Sequence, residues 1–152
     1  MATKTVIIGV GNLLRKDDGI GPAVIETLMG SRVRKNDKQD EITLLDGGTD
    51  GLALLDIIKQ YQKAIIIDAV DMGQAPGTVR AFTPQEAKIN IKSDALTTHS
   101  FGLAELLSLC EQLEIKTKIQ IIGIQPQDIS FGEGLSPIIE QQIPAIIRRI
   151  YA

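Results

Sequence analysis

Two runs of mostly β-branched residues, Thr5-Val6-Ile7-Ile8-Gly9 and Ala64-Ile65-Ile66-Ile67-Asp68, constrain this chain more than anything else in it. Neither alternates apolar with polar, as a strand with one wet face does. Short, uninterrupted apolar runs fit strands covered on both sides, the burial found in parallel sheets with helices above and below. "EITLLD" (41–46) and "KIQIIGI" (118–124) are two further strands. Between them, residues 21–29, 51–60 and 100–113 read as helices. The latter two carry apolar residues at three- and four-residue spacing, and the first has Pro22 near its start, where the first turn tolerates it. A last helix covers 135–150, and Pro144 inside it must kink it or split it.

"QAPGTVRAFTP" (74–84) breaks this alternation. Its Pro-Gly turn follows the third strand too closely for a crossover helix, so the next strand is expected to run antiparallel. The expected fold is α/β: a three-layer α/β/α sandwich on a five-stranded, mostly parallel mixed sheet with one antiparallel strand. No repeat or linker interrupts it, and 1–152 reads as a single domain.

Composition narrows the class of function. A net charge of −3 gives no concentrated basic patch for nucleic acid. One cysteine, Cys110, excludes an internal disulfide framework and fits a reducing compartment. The apolar "VIIGVGNLL" before "RKDD" is too short to span a membrane. The expectation is a cytoplasmic protein without membrane insertion.

Ligands of such sheets bind beyond the carboxyl ends of the strands. Three distinctive features stand there. The loop "VGNLLRKDDGIGP" (10–22) carries Asp17 and Asp18, the third strand ends in Asp68, and "LTTHS" holds the only histidine, His99. The first loop is no nucleotide cradle. A Gly-x-Gly-x-x-Gly pattern begun at Gly9 would need glycine at position 14, where the chain has Leu14. Adjacent acids would repel a pyrophosphate, whereas they suit a cation.

Each residue also has a plainer reading. Asp18 suits the N-cap of the helix that begins near Ile20, with Asp17 its solvated neighbour. Asp68 has no helix immediately after it to cap, which favours a site role. An imidazole such as His99 just ahead of a helix faces the positive helix end, which favours the neutral form a metal needs. Cys110 lies among leucines and reads as core, and Arg148 and Arg149 as favourable charge at a helix C-terminus. Two carboxylates and one imidazole, Asp18, Asp68 and His99, would form a three-ligand set for a borderline divalent metal such as Ni²⁺ or Zn²⁺, with positions left open.

Five segments together, "GVGNLLRKDDGIGP", "DGGT", "IIIDAVDMGQAPGTVR", "LTTHSFGLAELL" and "IIGIQPQDISFGEGLSP", resemble the NiFe-hydrogenase maturation endopeptidases, in the family's order from residue 9 to about residue 137. The resemblance implies a peptidase that removes the C-terminal tail of the hydrogenase large-subunit precursor once nickel has been inserted. It places the family's metal-binding residues on Asp18, Asp68 and His99. Nickel would be supplied by the substrate protein, and the peptidase is expected to act as a monomer.

The chemistry stays open at this level. No Ser/His/Asp or Cys/His set can be assembled, and there is no His-Glu-x-x-His helix. Asp18 or Asp68 would serve as general base, or water would be activated by metal; the peptidase type is thus aspartic or metal-assisted. Two other functions fit parts of the pattern. A phospho-receiver module would place acids similarly, yet "GIQPQD" offers no Lys beside Asp68. A metal-dependent small-molecule hydrolase would share the ligand set and differ in substrate.

Overall fold

Strand β1 (Thr3–Val10) lies near the middle of a five-stranded sheet, beside β3 (Lys63–Ala69), in a computed structural model that describes residues 3–30, 40–48, 51–90 and 103–151. With β2 (Asp40–Gly48), β4 (Val79–Phe82) and β5 (Lys118–Ile124), the strand order is β2-β1-β3-β5-β4. All neighbours pair parallel except β4 on β5. The reversed strand therefore exists, and its hydrogen-bonded partner is β5, which the sequence did not specify.

The apolar runs explain the layering. Along β1 and β3, Val6, Ile8, Ala64 and Ile66 face one way, and Ile7, Ile65 and Ile67 the other. The first face packs on α2 (Gly51–Ile58), α3 (Pro84–Asn90) and α4 (Leu103–Gln112) through Leu54, Ile58, Ala87, Leu103, Leu106, Leu107 and Cys110. The second packs on α1 (Ile20–Gly30), α5 (Pro137–Glu140) and α6 (Ile143–Ile150) through Val24, Ile25, Ile139, Ile146 and Ile150. Burying each such isoleucine contributes about 1.5–3 kcal/mol, and both faces of the central strands collect it. This is the three-layer sandwich expected.

Two helices depart in detail. The last one is split: Gln141 and Gln142 separate α5 from α6, and Pro144 sits in the first turn of α6, where its missing N–H costs nothing. Arg148 and Arg149 do fall in its last turn. Helix α3 is not among the helices expected from the sequence. Its start is fixed locally by a reciprocal pair: Glu86 N–H donates to Thr83 Oγ1 at 3.2 Å, and Thr83 N–H donates to Glu86 Oε1 at 2.8 Å.

Candidate active site

Parallel strands β1 and β3 end side by side, Gly9 pairing with Ile67 and Asp68 pairing onward with Gly123 of β5. Asp68 occupies the face of β3 shared by Ala64 and Ile66 and continued by Val70, the face that α4 covers. It is 3% exposed.

Beyond β1 the chain turns through Gly11 and a 3-10 turn, Lys16–Gly19, which touches the end of β3. Glycine is required twice here. Gly11 has φ 144°, and a Cβ there would strike the Asp18 carbonyl. A Cβ on Gly21 would lie 2.5 Å from the Ile67 carbonyl oxygen and 2.6 Å from that of Val10. The start of α1 is thus pressed onto the ends of both strands, and Asp18 with it.

Asp17 and Asp18 are both fully buried. The expectation that Asp17 is a solvated neighbour is therefore wrong. Its Oδ2 accepts the N–H groups of Gln127 and Asp128, both at 2.9 Å, and the Ser136 hydroxyl at 2.8 Å. Its Oδ1 accepts Ser136 N–H at 2.7 Å. A carboxylate can be buried when its oxygens meet donors in this way. Asp17 is the clasp between the first loop and the segment after β5.

Asp18 differs. It lies inside the 3-10 turn that leads directly into α1. Its Oδ2 accepts Asn12 N–H at 3.0 Å, within its own loop. The surrounding loop is fastened from outside. Gly132 N–H donates to Leu14 O at 2.8 Å, Lys16 N–H to Gly132 O at 3.1 Å, and Arg15 Nε to Ile129 O at 3.0 Å. Arg15 also stacks on Phe131, 5.5 Å from the ring centroid.

His99 lies outside the described residues. Among those described, no three His, Cys, Asp or Glu side chains gather as a metal-binding group. Two of the three candidate ligands are therefore placed, both buried, Asp68 near the end of β3 and Asp18 in the 3-10 turn that touches it. Cys110 is buried in the layer of α4, and desolvation pushes its thiol pKa up, away from the thiolate a nucleophile needs. The core reading of Cys110 stands.

Sequence reasoning missed Gln125, the residue after β5, which is 8% exposed. Its Oε1 accepts Met72 N–H at 2.6 Å and Gln74 N–H at 3.2 Å, while its Nε2 donates to Asp71 Oδ1 at 3.2 Å. The signal that could have found it is an amide side chain set directly after an apolar strand, in "GIQPQD".

Comparison with known proteins agrees with this architecture. The sequence profile of hydrogenase maturation proteases matches residues 22–152. The chain is 34% identical over 144 residues to hydrogenase expression/formation protein HupD of Thiocapsa roseopersicina, covering 93% of this chain and spanning 63% of that protein. It is 30% identical to the hydrogenase 2 maturation protease of Escherichia coli, covering 98% of this chain and 89% of that one. The solved structure of the E. coli hydrogenase maturating endopeptidase HybD superposes with a TM-score of 0.78 at 28% identity, over 97% of this chain and 89% of that one. Matched along nearly its whole length in sequence and in fold, the chain belongs to the hydrogenase maturation protease family.

Proposed function

We propose that this chain is an endopeptidase that removes the C-terminal tail of a nickel-loaded NiFe-hydrogenase large-subunit precursor. Asp18, Asp68 and His99 recognise the nickel, which arrives with the substrate. The observation that carries the reading is the burial of two carboxylates in a member of this family, Asp68 near the end of β3 and Asp18 in the 3-10 turn that touches that strand. Two carboxylates and an imidazole suit a borderline divalent ion, and a precursor without nickel offers them nothing to hold.

Cleavage then needs one water and one base. Water attacks the carbonyl carbon of the scissile peptide while Asp18 or Asp68 takes its proton. The C–N bond breaks, and the proton passes to the departing amine. Holding the substrate by its metal fixes the scissile bond near the base, which is a positioning effect rather than a chemical one. The enzyme acts as a cytoplasmic monomer, and among the described residues no helix is long and apolar enough to cross a membrane.

The test is direct. Purified protein is mixed with nickel-loaded and with nickel-free precursor, and tail removal is followed by mass spectrometry. Cleavage of the loaded form alone is expected. Equal cleavage of both would sink the nickel-recognition reading, and cleavage of neither would sink the peptidase assignment.

A further inference from the structure

Gln125 uses every polar group it has on one loop. Besides the three side-chain bonds described above, its N–H donates to Thr78 O and its carbonyl accepts Gly77 N–H, both at 2.9 Å. The orientation of the carboxamide is fixed by its partners: two amide donors require the oxygen on one side, and a carboxylate requires the nitrogen on the other. The whole excursion from Asp71 to Thr78 is thus hung on one residue at the end of β5.

That loop borders Asp68. Gly123, the register partner of Asp68, has no side chain on the face they share. A Cβ on Gly123 would stand 3.4 Å from Phe82 Cε2 and Val70 Cγ2 and 3.5 Å from Met72 Sδ, so these three side chains cover the ground beside the acid, Met72 being the one the loop carries. Val70 is tied to β5 by its N–H on Ile124 O at 2.9 Å, and Met72 is tied to Gln125. A shift of the carboxamide moves the backbone of Met72 first, and then the covering beside Asp68.

We propose that Gln125 is a positioning residue for the candidate active site, acting through Asp71, Met72 and Gln74 on the surroundings of Asp68. The proposal rests on the peptidase reading for its consequence in turnover, though not for the placement of the loop. Gln125→Glu keeps an oxygen for the Met72 and Gln74 amides but turns a second carboxylate toward Asp71, and the two repel. Asp71→Asn in that background removes the second charge and can turn an amide donor toward the introduced carboxylate, at the expense of the Oδ1 acceptor that Gly73 N–H also uses at 3.1 Å.

The experiment combines steady-state processing of loaded precursor with amide hydrogen exchange on Gln125→Ala, Gln125→Glu and the double variant. In Gln125→Ala, exchange at Met72 and Gln74 is expected to accelerate about tenfold or more, with the amides of Ile121 and Ile122 unchanged. Gln125→Glu is expected to lose about tenfold in kcat with little change in KM, and Asp71→Asn to return part of it by removing the repulsion. Unchanged exchange at Met72 and Gln74 would overturn the proposal, as would accelerated exchange with kcat intact or a loss that Asp71→Asn does not repair. If the unaltered chain leaves the loaded precursor whole, the peptidase reading fails instead, and the exchange comparison still decides whether Gln125 fixes the loop.

Discussion

One candidate acid, Asp18, lies in the loop after β1, and the other, Asp68, near the end of β3 beside the loop that follows it. Each loop is braced by the segment after β5, with opposite chemistry. In the first, the loop brings the acceptor: Asp17 receives donors from Gln127, Asp128 and Ser136. In the second, the brace brings both partners: the Gln125 carboxamide accepts from Met72 and Gln74 and donates to Asp71. The first brace is built around a buried charge, the second around a neutral amide. A buried carboxylate that loses its donors is left with a large desolvation cost, whereas an amide that loses its partners costs less. The loop holding Asp18 should therefore be the more rigid of the two and the more costly to disturb.

The strongest way to test the pairing is to remove the acid associated with each loop. Asp18→Ala and Asp68→Ala should both retain the circular dichroism of the parent and both lose about 100-fold or more in processing of loaded precursor, because each misplaces the same scissile bond. His99→Ala is expected to join them. Full activity in one acid variant beside loss in the other would break the symmetry and leave a single working carboxylate.

Asp17 offers the next largest effect, on stability rather than turnover alone. In Asp17→Asn the amide nitrogen must face a donor at one of its two ends, so at least one hydrogen bond is lost and the charge-assisted character of the others goes with it. A destabilisation of about 1–3 kcal/mol is expected from denaturant unfolding, with faster exchange at the Gln127 and Asp128 amides. Stability equal to the parent would mean that the first loop is held by its backbone bonds to Gly132 instead.

A smaller effect belongs to a site remote from both loops. Cys110 sits in the α4 layer, so Cys110→Ala should process precursor normally and lose about 1 kcal/mol or less, below the roughly 2–5 kcal/mol typical of larger side chains. Loss of cleavage there, with His99→Ala unaffected, would point to a thiol peptidase.

The smallest expected effect is acid-dependent. Hydrogen bonds from the Ser130 hydroxyl and N–H, with Lys16 adding to them, draw the Asp128 carboxyl down from 3.8 to about 2. A carboxyl lowered on folding stabilises above its unfolded value, and that contribution fades as pH falls from about 4 through about 2. The Ser130 N–H bond to the Asp128 carboxylate should loosen in this window, seen as faster exchange at Ser130, while the core amides hold. Loosening above about pH 5 would contradict it.

Much of the frame is legible in the sequence because it rests on local patterns. Uninterrupted isoleucine runs state two-sided burial, the closeness of Pro76-Gly77 to β3 states a reversal, and Pro144 states a break. Helix α3 is short, and its Thr83–Glu86 start is a local mark too brief to stand out beside the longer apolar patterns. The acids are less legible. Asp17 and Asp18 are chemically identical neighbours, and what separates them lies 110–119 residues away along the chain. No local pattern carries that information. Gln125 is similar, since its partners stand 51–54 residues upstream.

The position of these braces near the C-terminal end of the sequence has a consequence for biosynthesis. Strands β1 and β3 leave the ribosome early, yet the donors that hold Asp17 come from Gln127, Asp128 and Ser136. At roughly 5–20 residues per second the acids wait for several seconds before their partners exist. A nascent chain halted at Ile124 has all five strands and neither brace. Bracing of both loops is thereby coupled to synthesis of the segment after β5, so a nascent chain whose sheet is already whole still lacks the bonds that hold Asp17 and the Asp71–Gln74 turn.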